Sequence, residues 1–160
     1  MTLKIGLTNG KVASDATIRA LEAALGCDIS DSFKSFVLAN DGAKTETNTF
    51  KIAENNDSGV NQFIPVGEIL KERSHVENLS RKAYPVAWAE GGNYIFLDEA
   101  ADGAVFFWDH ELPESPTLLA SSFSAFLDLL EPFDTKKVEL KPGQVKRVWI
   151  DPEFAKRLKK

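Results

Sequence analysis

The spacing of apolar residues predicts two helices near the start of the chain. Ser14 is a good helix cap, and Ile18, Leu21 and Leu25 then recur at intervals of three or four residues. Gly26 follows and is expected to end the helix, because glycine adopts left-handed backbone angles readily. A second, shorter helix is predicted just after it, with the same apolar spacing between a serine cap and a turn sequence. Its residues are Ser30, Phe33, Phe36 and Val37, followed by Asn40-Asp41-Gly42.

Two further helices are predicted in the middle and towards the end of the chain. The first covers residues 66–79, with four apolar side chains facing inward: Val66, Ile69, Leu70 and Val76. The second begins at Ser121 or Ser122 and ends before Pro132. Its buried stripe consists of Phe123, Phe126, Leu127 and Leu130.

Aromatic and β-branched residues between the last two helices predict a three-stranded meander. The strands are expected at 84–89, 94–98 and 105–108, separated by Gly91-Gly92-Asn93 and Ala101-Asp102-Gly103 as tight turns. Further short strands are expected at 3–7, 49–53 and 145–150, with residues 55–59 as a loop and a turn or two of helix at 152–158. Helices, a meander and then a helix indicate an α+β fold with an antiparallel sheet rather than a parallel βαβ fold.

Length and composition indicate one globular domain. The chain has 160 residues, of which 43% are hydrophobic and 27% charged. Its apolar runs are too short to span a bilayer, and the first residues lack a secretory pattern, so we expect a cytoplasmic protein. The single cysteine, Cys27, has no partner for an internal disulfide.

Charge is distributed unevenly along the chain. Residues 1–135 carry 10 Lys or Arg and 21 Asp or Glu, whereas residues 136–160 carry 9 basic and 3 acidic residues. We therefore expect a main domain over 1–135 and a basic C-terminal extension over 136–160, formed by a strand and a short helix. Residues 83–135 contain no Lys or Arg but ten acidic residues. Such a surface repels nucleic acid and attracts basic partners, or it simply keeps the protein soluble.

The sequence does not single out a catalytic residue, metal ligand or cofactor site. Zinc motifs and the Gly-x-Ser-x-Gly elbow of serine hydrolases are both missing. Asp109, His110 and Glu111 are adjacent, but neighbours on a strand end point to opposite faces and are poorly placed to share a metal ion. Carboxylates are numerous, and their spacing selects no acid–base pair.

Three consecutive aromatic residues, Phe106, Phe107 and Trp108, must place at least one ring on each face of the meander. Either both faces are covered, or one ring is exposed and available to a partner. Because basic residues do not alternate with these aromatics, stacking on nucleic acid is not expected.

Three blocks of sequence follow one another in an order and spacing typical of a known family. The first block is Glu22, Leu25-Gly26, Ile29-Ser30, Phe33, Phe36-Val37-Leu38 and Asn40-Asp41-Gly42. The second is Tyr84-Pro85-Val86-Ala87, Gly91-Gly92-Asn93-Tyr94-Ile95, Leu97-Asp98, Gly103, Val105 and Phe107-Trp108-Asp109-His110-Glu111, and the third is Leu119-Ala120, Ser122-Phe123 and Phe126-Leu127. Together the blocks span roughly residues 15–131 and resemble the SUKH superfamily, the Smi–Knr type domain. A serine replaces the usual proline at position 30, and Asp41-Gly42 replaces a double glycine.

The resemblance implies an α+β domain with a central, mostly antiparallel sheet flanked by helices. It also implies that the domain acts by binding rather than by catalysis. Bacterial members resemble immunity proteins that neutralise polymorphic or contact-delivered toxins, often nucleases, whereas fungal members act as regulators through protein partners. We therefore expect a basic toxin as partner, without nucleic acid, membrane or cofactor, and a monomer. A scaffold or regulatory role in the same superfamily is the alternative, and a hydrolase that uses carboxylates is a more distant one.

The acidic stretch supplies the candidate contacts for such a partner, because acidic groups can mimic the phosphates that a nuclease binds. Asp98 and Asp109 have a competing structural interpretation, since carboxylates at strand ends often accept hydrogen bonds from turn backbone. Phe107 is an alternative to Trp108 as an apolar anchor. The candidates are Glu90, Asp98, Asp102, Asp109, Glu111 and Trp108.

Overall fold

The computed structural model describes residues 6–133, which form four helices and eight strands. Two helices precede the main sheet in sequence, one lies between its second and third strands, and the last helix follows it. The elements are β1 (Leu7–Thr8), α1 (Asp15–Leu25), α2 (Asp31–Asn40), β2 (Lys44–Thr45), β3 (Thr49–Ala53), β4 (Asn56–Phe63), α3 (Val66–Arg73), β5 (Ala83–Ala89), β6 (Tyr94–Asp98), β7 (Ala104–Trp108), β8 (Thr117–Ala120) and α4 (Phe123–Leu129).

The main sheet is a six-stranded antiparallel meander in the order β3-β4-β5-β6-β7-β8. A bridge between Thr49 and Glu131 joins the start of β3 to the residues after α4, which brings the two outer parts of the sheet towards each other. A separate two-stranded sheet pairs β1 with β2. The predicted α+β fold with an antiparallel sheet is therefore confirmed.

The boundaries of α1 and α4 follow the caps that the sequence contains. The Ser14 hydroxyl accepts a hydrogen bond from the Thr17 N–H at the start of α1, and Gly26 ends that helix at a φ of 70°. Ser122 caps α4 in the same way through the Ala125 N–H. Both caps satisfy backbone donors that the first helical turn leaves free. The predicted cap of α2 was wrong, because the Ser30 hydroxyl makes no cap hydrogen bond and donates to Glu99 instead.

The inner face of the sheet forms the main core, to which all four helices contribute buried side chains. Aromatic rings dominate the centre, where Phe123 lies within 5.0 to 6.2 Å of three other rings, measured between ring centres. Close-packed rings of this kind stabilise a core through area burial and edge-to-face contacts. The three neighbours of Phe123 are Phe33, Phe36 and Phe63.

The outer face of the sheet carries a second, smaller cluster. Directly paired residues on β5, β6 and β7 place Trp88, Tyr94 and Trp108 side by side on this face. The segment after α3 covers part of the face through Val76 and Leu79. Both faces of the sheet therefore carry packed aromatic side chains.

Three other local predictions were wrong. Residues 56–59 belong to β4 rather than to a loop, and β8 was not predicted. Helix α3 ends at Arg73 instead of residue 79, and Leu70 is 43% exposed rather than inward. Arg73 explains the early end, because its guanidinium donates hydrogen bonds to the backbone oxygens of Ser80, Arg81 and Ala83 and so holds the returning chain.

Several predicted features lie outside the described residues. They are most of the strand at 3–7, the strand at 145–150, the helix at 152–158 and the whole basic extension at 136–160. Between residues 6 and 133, no helix is long and apolar enough to cross a membrane.

Candidate functional site

The structure divides the predicted acidic contacts between two opposite ends of the sheet. At one end, Glu90 follows β5, and Asp109 and Glu111 follow β7. We call these three residues the acidic end. The paired residues Trp88, Tyr94 and Trp108 lie at this same end of the strands. Asp98 and Asp102 lie in the β6–β7 turn, at the opposite end of the strands. Because β6 spans five residues, the two groups lie about 13 Å apart along the strands.

The acidic end is built from two turns that are joined by Asn93. The turn after β5 needs glycine at two positions, because Gly91 and Gly92 have φ values of 73° and 81°. The Asn93 side-chain oxygen lies 3.0 Å from the His110 backbone N and 2.7 Å from its Nδ1. This pair of contacts fixes the turn after β7 beside the turn after β5.

Two of the candidate carboxylates have hydrogen-bonded roles in their own turns. Asp98 accepts hydrogen bonds from the Ser80 hydroxyl and the Ala100 N–H, at 2.8 and 2.9 Å. Asp109 accepts one from the Glu111 N–H at 2.9 Å. By contrast, the side chains of Glu90, Asp102 and Glu111 make no hydrogen bond within residues 6–133, and all three residues are exposed.

The two aromatic candidates are buried. Trp108 is 5% exposed and packs against Tyr94, with ring centres 5.8 Å apart, and Phe107 is 4% exposed in the main core. Phe107 therefore does not reach the surface as an anchor, and the small exposed part of Trp108 lies in the cleft described below. The exposed apolar surface lies beside them, where Leu118 on β8 pairs with the partly exposed Phe106 on β7.

A shallow, open cleft of about 440 Å³ lies next to the acidic end. Helix α3 and the segment after it form one wall, the two turns form the other, and the outer face of the sheet forms the floor. Sequence reasoning did not identify this cleft, because its walls come from separate parts of the chain. Its lining residues are Glu72, His75, Gly91, Gly92, Tyr94, Trp108 and His110.

Glu72 is the charged group of the cleft that is most firmly positioned. Its Oε2 accepts hydrogen bonds from the Trp88 indole N–H and the Tyr94 hydroxyl, both at 2.8 Å. Burial alone raises the pKa of this carboxyl, but the two hydrogen bonds, together with nearby His75 and Lys71, outweigh burial and lower the pKa overall. Glu72 is therefore an anion held in place by two aromatic side chains.

Burial also raises the pKa of Tyr94 to about 12, with the hydrogen bond to Glu72 and its charge adding to the effect. The phenol therefore remains a hydrogen-bond donor at neutral pH. The indole Nε1 of Trp108 is buried without an acceptor among residues 6–133. The cleft thus combines a fixed negative charge with two aromatic rings.

Glu99 is a second carboxylate that the sequence did not single out, and it links separate parts of the fold. Glu99 accepts hydrogen bonds from the Ser30 N–H and hydroxyl, both at 2.6 Å, and from the Tyr84 hydroxyl at 2.7 Å. Burial and Glu99 together raise the pKa of the Tyr84 phenol far above its ordinary value. These contacts connect the β6–β7 turn to the start of α2.

Two further possibilities are a nucleophilic thiol at Cys27 and a metal site. Burial raises the pKa of the Cys27 thiol, and Glu99 raises it further, which is the opposite of what a nucleophilic thiol needs. Within the described part of the chain, no three His, Cys, Asp or Glu side chains are grouped to hold a metal ion.

Residues 12–129 match the sequence model of the SMI1 / KNR4 family (SUKH-1). The chain belongs to this family. A search among curated proteins finds no match. The matched region runs from before α1 to the end of α4, so the acidic end and the cleft both lie inside the SMI1 / KNR4 domain.

The charge of this SMI1 / KNR4 domain is largely uncompensated near the acidic end. The one Lys–carboxylate pair among residues 6–133 joins Lys34 to Glu22 at 2.7 Å, on the helical side of the molecule. Strands β5 to β8 and the turns between them contain no Lys or Arg. The charges of β5 to β8 and their turns therefore contribute a negative field at the acidic end, which is strongest at low ionic strength.

Proposed function

We propose that this protein is a non-catalytic immunity protein that binds and neutralises a basic toxin through its acidic end. Membership of the SMI1 / KNR4 family is the observation that carries the proposal. The resemblance described above associates the bacterial branch of this superfamily with toxin neutralisation. The cytoplasm is the proposed site of action.

The charge pattern supports a basic partner. Glu90 and Glu111 are exposed and their side chains make no hydrogen bond within residues 6–133, so neither carboxylate is engaged by that part of the chain. Asp109 adds charge while it holds its turn. A nuclease must present basic residues to phosphate, and an acidic surface that covers those residues blocks substrate binding.

The positions of the remaining candidates narrow the proposed interface. Asp102 lies at the opposite end of the sheet, and Asp98 is engaged in its own turn. Trp108 is buried, so we propose that it supports the cleft from beneath. The exposed pair Phe106 and Leu118 provides apolar surface on the same face of the sheet.

The direct test combines capture with protection. The tagged chain is used to capture partners from a lysate of its source organism, and each captured protein is then produced in a bacterial host with and without this chain. We expect one basic partner to arrest growth and this chain to restore it. Captured proteins that leave growth unaffected would instead favour a scaffold or regulatory role in the same superfamily.

A further inference from the structure

We propose that the cleft beside the acidic end binds the guanidinium group of an arginine on the protein partner. This inference deepens the proposed function, because it names the group that the partner inserts. It rests on the cleft itself, on the fixed Glu72 carboxylate and on the two aromatic rings that line the cleft.

In the Glu72 carboxylate, one oxygen accepts hydrogen bonds and the other is available. Trp88 and Tyr94 both donate to Oε2 of Glu72, whereas Oε1 makes no hydrogen bond within residues 6–133. Two donors on one oxygen prevent the side chain from rotating away. A carboxylate held in this way is prepared for an incoming cation and loses little conformational entropy when it binds.

The aromatic rings favour guanidinium over ammonium. Tyr94 and Trp108 lie edge to face at 5.8 Å between ring centres, and both line the cleft. A planar guanidinium stacks on aromatic faces and is more weakly hydrated than an ammonium group, so it loses less hydration when it contacts the aromatic floor of the cleft. Arginine is also one of the residues enriched at the energetic centres of protein interfaces.

The glycine turn and the nearby carboxylates make Glu72 accessible and attractive to a cation. Gly91 and Gly92 form one wall without side chains, so a long basic side chain reaches Glu72 past the backbone. The nearest charges on the turns are those of the acidic end, which attract the cation from a distance. His75 and His110 also line the cleft.

The test is an NMR titration of the full-length ¹⁵N-labelled protein with Nα-acetyl-arginine amide at about pH 8, where an ordinary histidine is neutral. Nα-acetyl-citrulline amide, which has the same shape without the charge, is the matched probe. We expect saturable shifts of the indole N–H signals of Trp88 and Trp108 with the arginine probe and none with the citrulline probe. Equal shifts with both probes, or shifts spread over the whole acidic surface, would overturn the proposal.

Two charge-matched variants sharpen the test. Glu72→Gln can still accept the hydrogen bonds from Trp88 and Tyr94, yet it lacks the charge, so we expect it to bind the arginine probe about tenfold more weakly. Glu46→Gln removes the same charge from an exposed position after β2 and should bind as the unmodified chain does. Equal affinities for the two variants would contradict the assignment, provided that both retain dispersed spectra.

The proposal of arginine binding and the proposal of an immunity role can be refuted separately. If Glu72→Gln still binds and neutralises a captured toxin with unchanged affinity, arginine binding in the cleft is refuted and the immunity role stays intact. Specific arginine binding in a protein that protects against no captured partner would keep the cleft and refute the immunity role.

Discussion

Replacing Glu99 by alanine removes the acceptor of three hydrogen bonds that connect distant parts of the chain. The Ser30 N–H and hydroxyl both lie 2.6 Å from this carboxylate, and the Tyr84 hydroxyl lies 2.7 Å from it. Residues 30 and 99 are far apart in sequence, so these contacts join α2 to the β6–β7 turn. The substitution therefore tests whether part of the acidic stretch serves the fold rather than a partner.

The expected loss of stability follows from the number and kind of these hydrogen bonds. A hydrogen bond to a charged group contributes about 1.5–3 kcal/mol, and water replaces part of that because Glu99 is only half-buried. Tyr84 is fully buried, so its hydroxyl would be left unsatisfied. We expect Glu99→Ala to lower the free energy of unfolding by about 3 kcal/mol and Tyr84→Phe to lower it by about 1 kcal/mol.

Urea denaturation followed by tryptophan fluorescence measures both losses. The double variant should lose less than the sum of the single losses, because the two residues share one hydrogen bond. Glu46→Ala, at an exposed position, serves as the control and should change stability by less than about 0.5 kcal/mol. A Glu99→Ala variant as stable as this control would show that the three contacts do not stabilise the fold.

Further predictions concern the cleft and the core. The pKa of Glu72 is lower in the folded than in the unfolded chain, so its contribution to stability is present above the unfolded pKa and is lost as pH falls through the folded pKa. Glu72→Gln should therefore flatten the acid side of a plot of unfolding free energy against pH. Phe107→Ala should cost about 3–5 kcal/mol in a urea titration, whereas Leu118→Ser, at a position 61% exposed, should cost less than about 0.5 kcal/mol.

Local signals in the sequence predict the helices and the meander because their causes are local. A cap, an apolar stripe and a glycine define α1, and two turns separate the strands β5, β6 and β7. Strand β4 lacks such a signal, since its first residues are Asn56, Asp57 and Ser58. It forms a strand because β3 and β5 pair with it on either side, which is a tertiary cause.

The candidate site was predicted only in part for the same reason. Composition showed that a region without Lys or Arg carries many carboxylates, but it did not show which of them share an end of the sheet. Glu72 acquires its role from Trp88 and Tyr94, which lie 16 and 22 residues further along the chain. Contacts over such distances depend on strand register, and a single sequence does not specify register residue by residue.

The most direct test of the proposed binding surface is the rate of association with the captured toxin at increasing salt. The variant Glu90→Gln/Glu111→Gln removes two charges from the acidic end, and Glu46→Gln/Asp102→Asn removes two from elsewhere. We predict that the first variant associates about tenfold more slowly at low salt and with a weaker salt dependence, while the second resembles the unmodified chain. Equal association rates for the two variants would contradict docking through the acidic end.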